Sequence, residues 1–180
     1  CHIRLGHFEW INQYAPELLT EFTEKCIEWH YPECLEAEHP ILAFVEKVIE
    51  RTAMMIAKWQ LVGFAHGVMN TDNMSIHGIT IDYGPYGWLE NYDPDWTPNT
   101  TDNQNKRYRF GNQPQVAQWN LYQLANALYP LIDEAEPLEA ILNAFNTHYQ
   151  KKYNQMMLNK IGLEETNEAT IALVKALDEN

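Results

Sequence analysis

Apolar residues recur at intervals of three and four over much of this chain, the period of a helix with one buried face. Leu18, Leu19, Phe22, Cys26, Ile27 and Trp29 form a first stripe, which Tyr31-Pro32 should end. A stronger one runs through Ile41, Phe44, Val45, Val48, Ile49, Thr52, Met55, Ile56 and Trp59, predicting a long helix from near Pro40. The pattern then breaks. Gly63, Gly67, Gly78, Gly84 and Gly87 punctuate a stretch with two β-leaning pieces, Met74–Ile76 and Ile79–Ile81, joined by turn-like His77-Gly78. Residues 91–112 are rich in Asp, Asn, Thr and Pro and read as a long surface loop. Helical spacing resumes at Pro114 with Val116, Leu121, Leu124, Leu128 and Leu131. It continues from about Pro137 through Leu138, Ile141, Leu142, Phe145 and Tyr149 toward Met156, and again over Glu168 to Leu177. The expected fold is mainly α with a small β-hairpin region, one domain with its chemistry in the middle.

Composition narrows the setting. The 180 residues are 46% hydrophobic and 12% aromatic, values suited to a packed core rather than a disordered chain. A net charge of −13, from 25 acidic and 12 basic residues, argues against a nucleic-acid partner, which needs clustered Lys and Arg. No run reaches the roughly 18 apolar residues of a membrane span, so no membrane role is expected. Cys1, Cys26 and Cys34 form no CxxC and no framework. A Cys26–Cys34 disulfide is one possibility, and reduced thiols in a cytosolic protein are the favoured one.

The candidate chemistry comes from charge placement. Between Trp59 and Asn105 there is no Lys or Arg, while Asp72, Asp82, Glu90, Asp93, Asp95 and Asp102 all occur there. Asp72 and Asp82 lie among Ile, Met and Gly, where an unpartnered carboxylate would be costly to bury. No nearby basic residue offers a partner. A bound cation would, and Asn73 adds the neutral oxygen that hard ions such as magnesium accept. The alternative is that Asp82-Tyr83-Gly84-Pro85 is only a turn, since Asp hydrogen-bonds its own backbone.

Spacing then brings in a resemblance. His66 and Asn73 are seven positions apart, and Asp82-Tyr83-Gly84 follows the two β-leaning pieces. Protein kinases place a catalytic-loop His and metal-binding Asn at that interval, followed by a hairpin and Asp-Phe-Gly. Val68 stands where a kinase has its catalytic Asp, which alone would make this a pseudokinase. The longer run from Trp59 through His66-Gly67-Val68-Met69-Asn70-Thr71-Asp72-Asn73 to Ser75 closely resembles the selenoprotein O family. So do Thr80-Ile81-Asp82-Tyr83-Gly84-Pro85-Tyr86-Gly87, Asn112-Gln113-Pro114 and Trp119-Asn120-Leu121. Flanking pieces agree: Arg4-Leu5-Gly6-His7-Phe8-Glu9, Arg51-Thr52-Ala53 and Lys160-Ile161-Gly162-Leu163.

The resemblance implies a protein-kinase-like C-lobe over residues 1–180. Catalytic and metal loops would occupy 63–88, the polar loop 91–112 and a helical part 113–180. It implies a protein adenylyltransferase (AMPylator) that moves AMP from ATP to Ser, Thr or Tyr hydroxyls of proteins. Asp72 would accept the hydroxyl proton, Asn73 and Asp82 would ligate magnesium or manganese, and Asp82 and Arg4 would face the nucleotide. His66 would be a structural hydrogen-bonder. Tyr83, Tyr86, Trp88 and Tyr92 would pack, the last two being candidates to line an acceptor groove. The setting would be bacterial cytoplasm, or the mitochondrion in a eukaryote. The kinase-type N-lobe, with its Gly-rich loop and Lys–Glu pair, is missing before His66. The chain opens on Cys1 without an initiator Met, so it is expected to belong to a larger protein and to be a poor catalyst alone. Two other readings stay open: a phosphotransferase with ordinary ATP orientation, and a non-catalytic pseudokinase or divalent-cation or nucleotide-binding module.

Overall fold

The strongest stripe becomes the central element, helix α3 (Pro40–Leu61). Phe44, Val45, Val48, Ile49 and Ile56 are fully buried along it, and Pro40 occupies its first turn as the sequence predicts. The computed structural model describes residues 2–132, 135–163 and 167–178; Cys1 lies outside them. Before α3 come α1 (Leu5–Tyr14) and α2 (Leu19–His30). After the polar loop come α4 (Gln113–Leu128), α5 (Ala135–Lys160) and α6 (Glu168–Asp178). The mainly helical expectation holds, with the α3–α5 packing as its principal contact.

One main core joins α1 to α5. It includes Leu5, Phe8, Ile27, Tyr31, Met69, Ile76, Leu121, Leu124 and Phe145. A smaller cluster of Ala57, Tyr153, Leu158 and Val174 fixes α6 against the rest. Trp29, assigned to the first stripe, instead points to solvent at 66% exposure. Cys26 and Cys34 are buried free thiols, and burial pushes the Cys26 thiol up to about 12.

Helix α1 is a departure from the sequence reading. Only Leu5 and Phe8 are large buried side chains there, while Trp10 and Tyr14 are exposed, so apolar residues occur on both faces and blur the period. Its start is fixed by tertiary pairing. The Leu5 N–H donates to the Met74 carbonyl (2.9 Å), and the Ile76 N–H donates to the Ile3 carbonyl (3.2 Å). His7 Nδ1 accepts from the Arg4 N–H at 2.9 Å, satisfying one of the donors a helix start exposes.

The β content also differs in detail. The expected hairpin exists as a single antiparallel bridge, Met74 to Thr80, around a turn closed by Gly78 N–H on the Ser75 carbonyl (3.1 Å). The strands proper are β1 (Phe64–Ala65) and β2 (Gly87–Trp88), paired antiparallel as Phe64–Trp88 and Ala65–Gly87. They close the glycine-rich segment at its base. The polar loop is tied down from within. Phe110 N–H reaches the Trp96 carbonyl (2.9 Å), Gly111 N–H the Pro94 carbonyl (2.8 Å), and the Asp102 carboxylate accepts from the Arg107 and Tyr108 N–H groups.

Candidate active site

His66 anchors the segment that follows β1. Its ring stacks on Trp59, with centroids 5.4 Å apart, and is fully buried. Nε2 donates to the Ile81 carbonyl at 2.7 Å and Nδ1 accepts from the Val68 N–H at 3.4 Å, which fixes the neutral Nε2–H tautomer. Burial holds this imidazole below its usual value against the opposing effect of those two bonds. The structural role expected for His66 is the one it has: it ties the start of the loop to the residue before Asp82.

Side chains from distant elements grip the segment 64–70, mostly by its backbone. Gln113 does so twice, donating to the Phe64 carbonyl (2.8 Å) and accepting from the His66 N–H (2.9 Å). Asn99 donates to the Gly67 carbonyl (3.0 Å), Asn120 donates to the Met69 carbonyl (2.8 Å), and Tyr108 O–H donates to Asn70. Gly67 has φ +83°, and a Cβ there would lie 2.2 Å from the Pro85 carbonyl oxygen. The two motifs therefore lie back to back, and only glycine permits it. The sequence reading assigned no role to Gln113, Asn99, Asn120 or Tyr108. For Asn120 a signal existed: an amide on the apolar face of α4 beside Val116, Leu121 and Leu124.

The four candidate residues are placed as follows. A 3-10 turn over Thr71–Asn73 presents Asp72 and Asn73. Asn73 Nδ2 donates to the Val68 carbonyl at 3.0 Å, which leaves Oδ1 as the acceptor end of the amide. Asp72 lies against Gly6 at the start of α1: a Cβ on Gly6 would be 2.1 Å from Asp72 Oδ1. The positive end of a helix favours a carboxylate there by about 0.3–1 kcal/mol. Asp82 adopts φ +53°, an uncommon conformation for a residue other than glycine. Its carboxylate receives the Arg4 guanidinium, with Nη2 3.2 Å from Oδ1 and 3.0 Å from Oδ2.

Two corrections follow. Asp72 and Asp82 are exposed rather than desolvated, so burial does not force a cation on either. Asp82 also has a basic partner, one that the local sequence could not show because Arg4 is 78 positions away. Each side chain of that pair is about a third exposed, so it contributes roughly 0–1 kcal/mol.

Among the described residues no group of three or more His, Cys, Asp or Glu side chains could hold a metal. Asn73 Oδ1 and the Asp82 carboxylate are oxygen donors of the kind magnesium or manganese accepts. Such an ion keeps several waters and takes only one or two carboxylates beside substrate phosphates. Asp72 and Asp82 are exposed, Arg4 and Asn73 half-buried. Concavities of about 280, 520, 550 and 380 Å³ are lined by other residues. Tyr83, Tyr86 and Trp88 form an exposed aromatic edge around Phe64, with ring centroids 5.3–6.3 Å apart.

Among known proteins, enzymes named as nucleotidyltransferases are similar to this chain over nearly its whole length. "Protein nucleotidyltransferase YdiU" of Flavobacterium johnsoniae is 58% identical over 178 residues, 98% of this chain and 34% of that protein. The proteins of the same name from Aromatoleum aromaticum and Rhodopirellula baltica are each 51% identical. They match 97% and 93% of this chain, and 34% and 32% of their own lengths. The family described as "Protein adenylyltransferase SelO" matches residues 1–179, and the chain belongs to that family. It spans about a third of the length of the curated relatives it matches. No helix among the described residues is long and apolar enough to cross a membrane.

Proposed function

We propose that this chain carries the catalytic and metal loops of a protein adenylyltransferase with a kinase-like C-lobe. The intact protein would transfer AMP from ATP to Ser, Thr or Tyr hydroxyls of other proteins. The carrying observation is that Arg4 reaches Asp82 across 78 positions while Asp72, next to Asn73, lies against Gly6, two residues after Arg4. Membership of the SelO family supports nucleotidyl transfer as the reaction class. The N-lobe that would close over the nucleotide belongs, on this reading, to the remaining part of the protein. A cytoplasmic setting accords with bacterial relatives and buried reduced thiols.

The acceptor hydroxyl oxygen forms a bond to the α-phosphorus of ATP, the bond from that phosphorus to the β-phosphate bridge oxygen breaks, and pyrophosphate departs. The hydroxyl proton passes to the Asp72 carboxylate, which is exposed toward an incoming acceptor and steadied by the start of α1. Asn73 and Asp82 would hold magnesium or manganese, which when bound supplies electrostatic stabilisation to the phosphoryl oxygens. Arg4 neutralises phosphate charge. Because Arg4 and Asp82 bind each other, Arg4 turns from the carboxylate to the phosphate when nucleotide enters. That exchange costs little, since the pair is weak.

Labelled ATP tests the reading on the intact protein. Label at the α-phosphate should appear on protein acceptors and label at the γ-phosphate should not. Transfer of γ-label would make the protein a phosphotransferase. Metal or nucleotide binding with neither label transferred would make it a non-catalytic module.

A further inference from the structure

A concavity of about 550 Å³ between α3, the Ser75–Gly78 turn and α5 shares no residue with the candidate active site. Arg51, His77, His148, Lys151 and Lys152 line it, so five of its walls carry nitrogen donors. That concentration is unexpected in a chain with 12 basic residues against 25 acidic ones. Glu50 also lines it, but its Oε2 is engaged by Lys47 at 2.8 Å. Arg51 is held over the Tyr31 ring, 4.3 Å from the centroid, with Nη1 3.5 Å from His77 Nδ1. Its carboxylate contact among the described residues, Glu33 at 3.7 Å, is too long for a good hydrogen bond. Among the described residues, Lys151 and Lys152 have no ion-pair partner.

The walls are fixed in place. A Cβ on Gly78 would lie 2.4 Å from the Arg51 carbonyl oxygen, so the turn is pressed onto α3. His77 stacks on Tyr31 with ring centroids 5.8 Å apart. His148, Lys151 and Lys152 are spaced i, i+3 and i+4 on α5 and therefore share one face. Like charges gathered in one concavity repel unless an anion lies between them. The mixture suits a tetrahedral oxyanion: a forked guanidinium, two ammonium groups and two imidazoles able to hydrogen-bond. Burial first, then His30 and Arg51, keeps the His77 imidazole below its usual value.

We propose that this pocket binds a phosphate group, with Arg51, Lys151 and Lys152 meeting its charge and His77 and His148 completing its hydrogen bonds. The group is either free inorganic phosphate or a phosphate carried on a protein side chain. The site stands independently of the adenylyltransfer reading.

The test is a titration of the intact protein with inorganic phosphate at constant ionic strength, read from the imidazole resonances of His77 and His148. Saturable shifts are expected, with a midpoint raised at least about tenfold in the Lys151→Gln/Lys152→Gln variant. Both lysines are exposed, so that variant should fold. Arg51→Lys, which keeps charge but loses the fork, should fall between the two. A linear response, a midpoint unchanged in the double variant, or an equal response to chloride would overturn the site. In a second arm, a serine-phosphorylated peptide is compared with its unphosphorylated form. Tighter binding than phosphate alone supports a protein-borne source, and equal binding supports free phosphate. Equal binding of the unphosphorylated peptide overturns the proposal.

Discussion

Gly6 touches Asp72 more closely than a side chain would allow, and that makes it a probe of the proposed base. Alanine at this helical position should gain up to about 1 kcal/mol of helix propensity. Its Cβ would occupy the place of Asp72 Oδ1, 2.1 Å away, and push the carboxylate aside. Gly6→Ala should therefore leave the melting temperature of the intact protein unchanged or higher, with ATP affinity within about twofold. Single-turnover transfer should fall roughly 10–100-fold, the scale of a misplacement near 1 Å. An unchanged rate would remove Asp72 from the chemistry. At this scale the sequence was partly legible. The types and spacing of His66, Asn73 and Asp82 pointed to the loop, because hydrogen-bonding and ligand demands restrict both. The Arg4–Asp82 pair, the exposure of both Asp side chains and the Gly6 contact were not legible, because each depends on segments far apart in the chain.

The elements depend on a few buried amides. Gln113 satisfies one donor beside β1 and one acceptor within it, so Gln113→Ala strands the His66 N–H and the Phe64 carbonyl inside the core. At about 1–3 kcal/mol for each of the two unsatisfied groups, the loss should be roughly 2–6 kcal/mol, read from the urea midpoint. A loss below about 1 kcal/mol would mean the loop is held by other contacts. His66 adds a pH dependence. Its folded value is depressed below its ordinary 6.5. Between the two values the unfolded chain binds the extra proton, so this contribution is full above 6.5 and is lost as pH falls toward the folded value. The urea midpoint should thus be lower at pH 5.5 than at pH 7.5, and a midpoint constant across that range would contradict the buried neutral ring. Helices α2 to α6 were readable because long apolar stripes outlast local noise. Two-residue strands carry no readable period, so the β1–β2 pairing was hidden. The loop over 91–112 read as a polar surface loop, yet Asn99 and Tyr108 hold Gly67 and Asn70 from it.

For the whole molecule, the main core and the smaller one under α6 build a platform that carries the segment from Gly63 to Trp88, closed by the β1–β2 pairing. The helical class followed from periodicity alone. How the helices assemble did not, because packing partners are chosen by shape and long-range contact rather than by spacing. The central claim is that Asn73 and Asp82 hold the metal and nucleotide while Asp72 serves the chemical step. Binding and turnover should therefore separate by residue. The most direct measurement is manganese-dependent ATP binding by calorimetry, beside single-turnover transfer of α-label, in the intact protein and its Asp82→Ala and Asp72→Ala variants. The expected result is that Asp82→Ala loses metal-dependent binding. Asp72→Ala should bind normally and transfer roughly 10²–10⁴-fold more slowly. Normal binding of ATP and metal by both variants, with normal transfer by Asp72→Ala, would contradict the account.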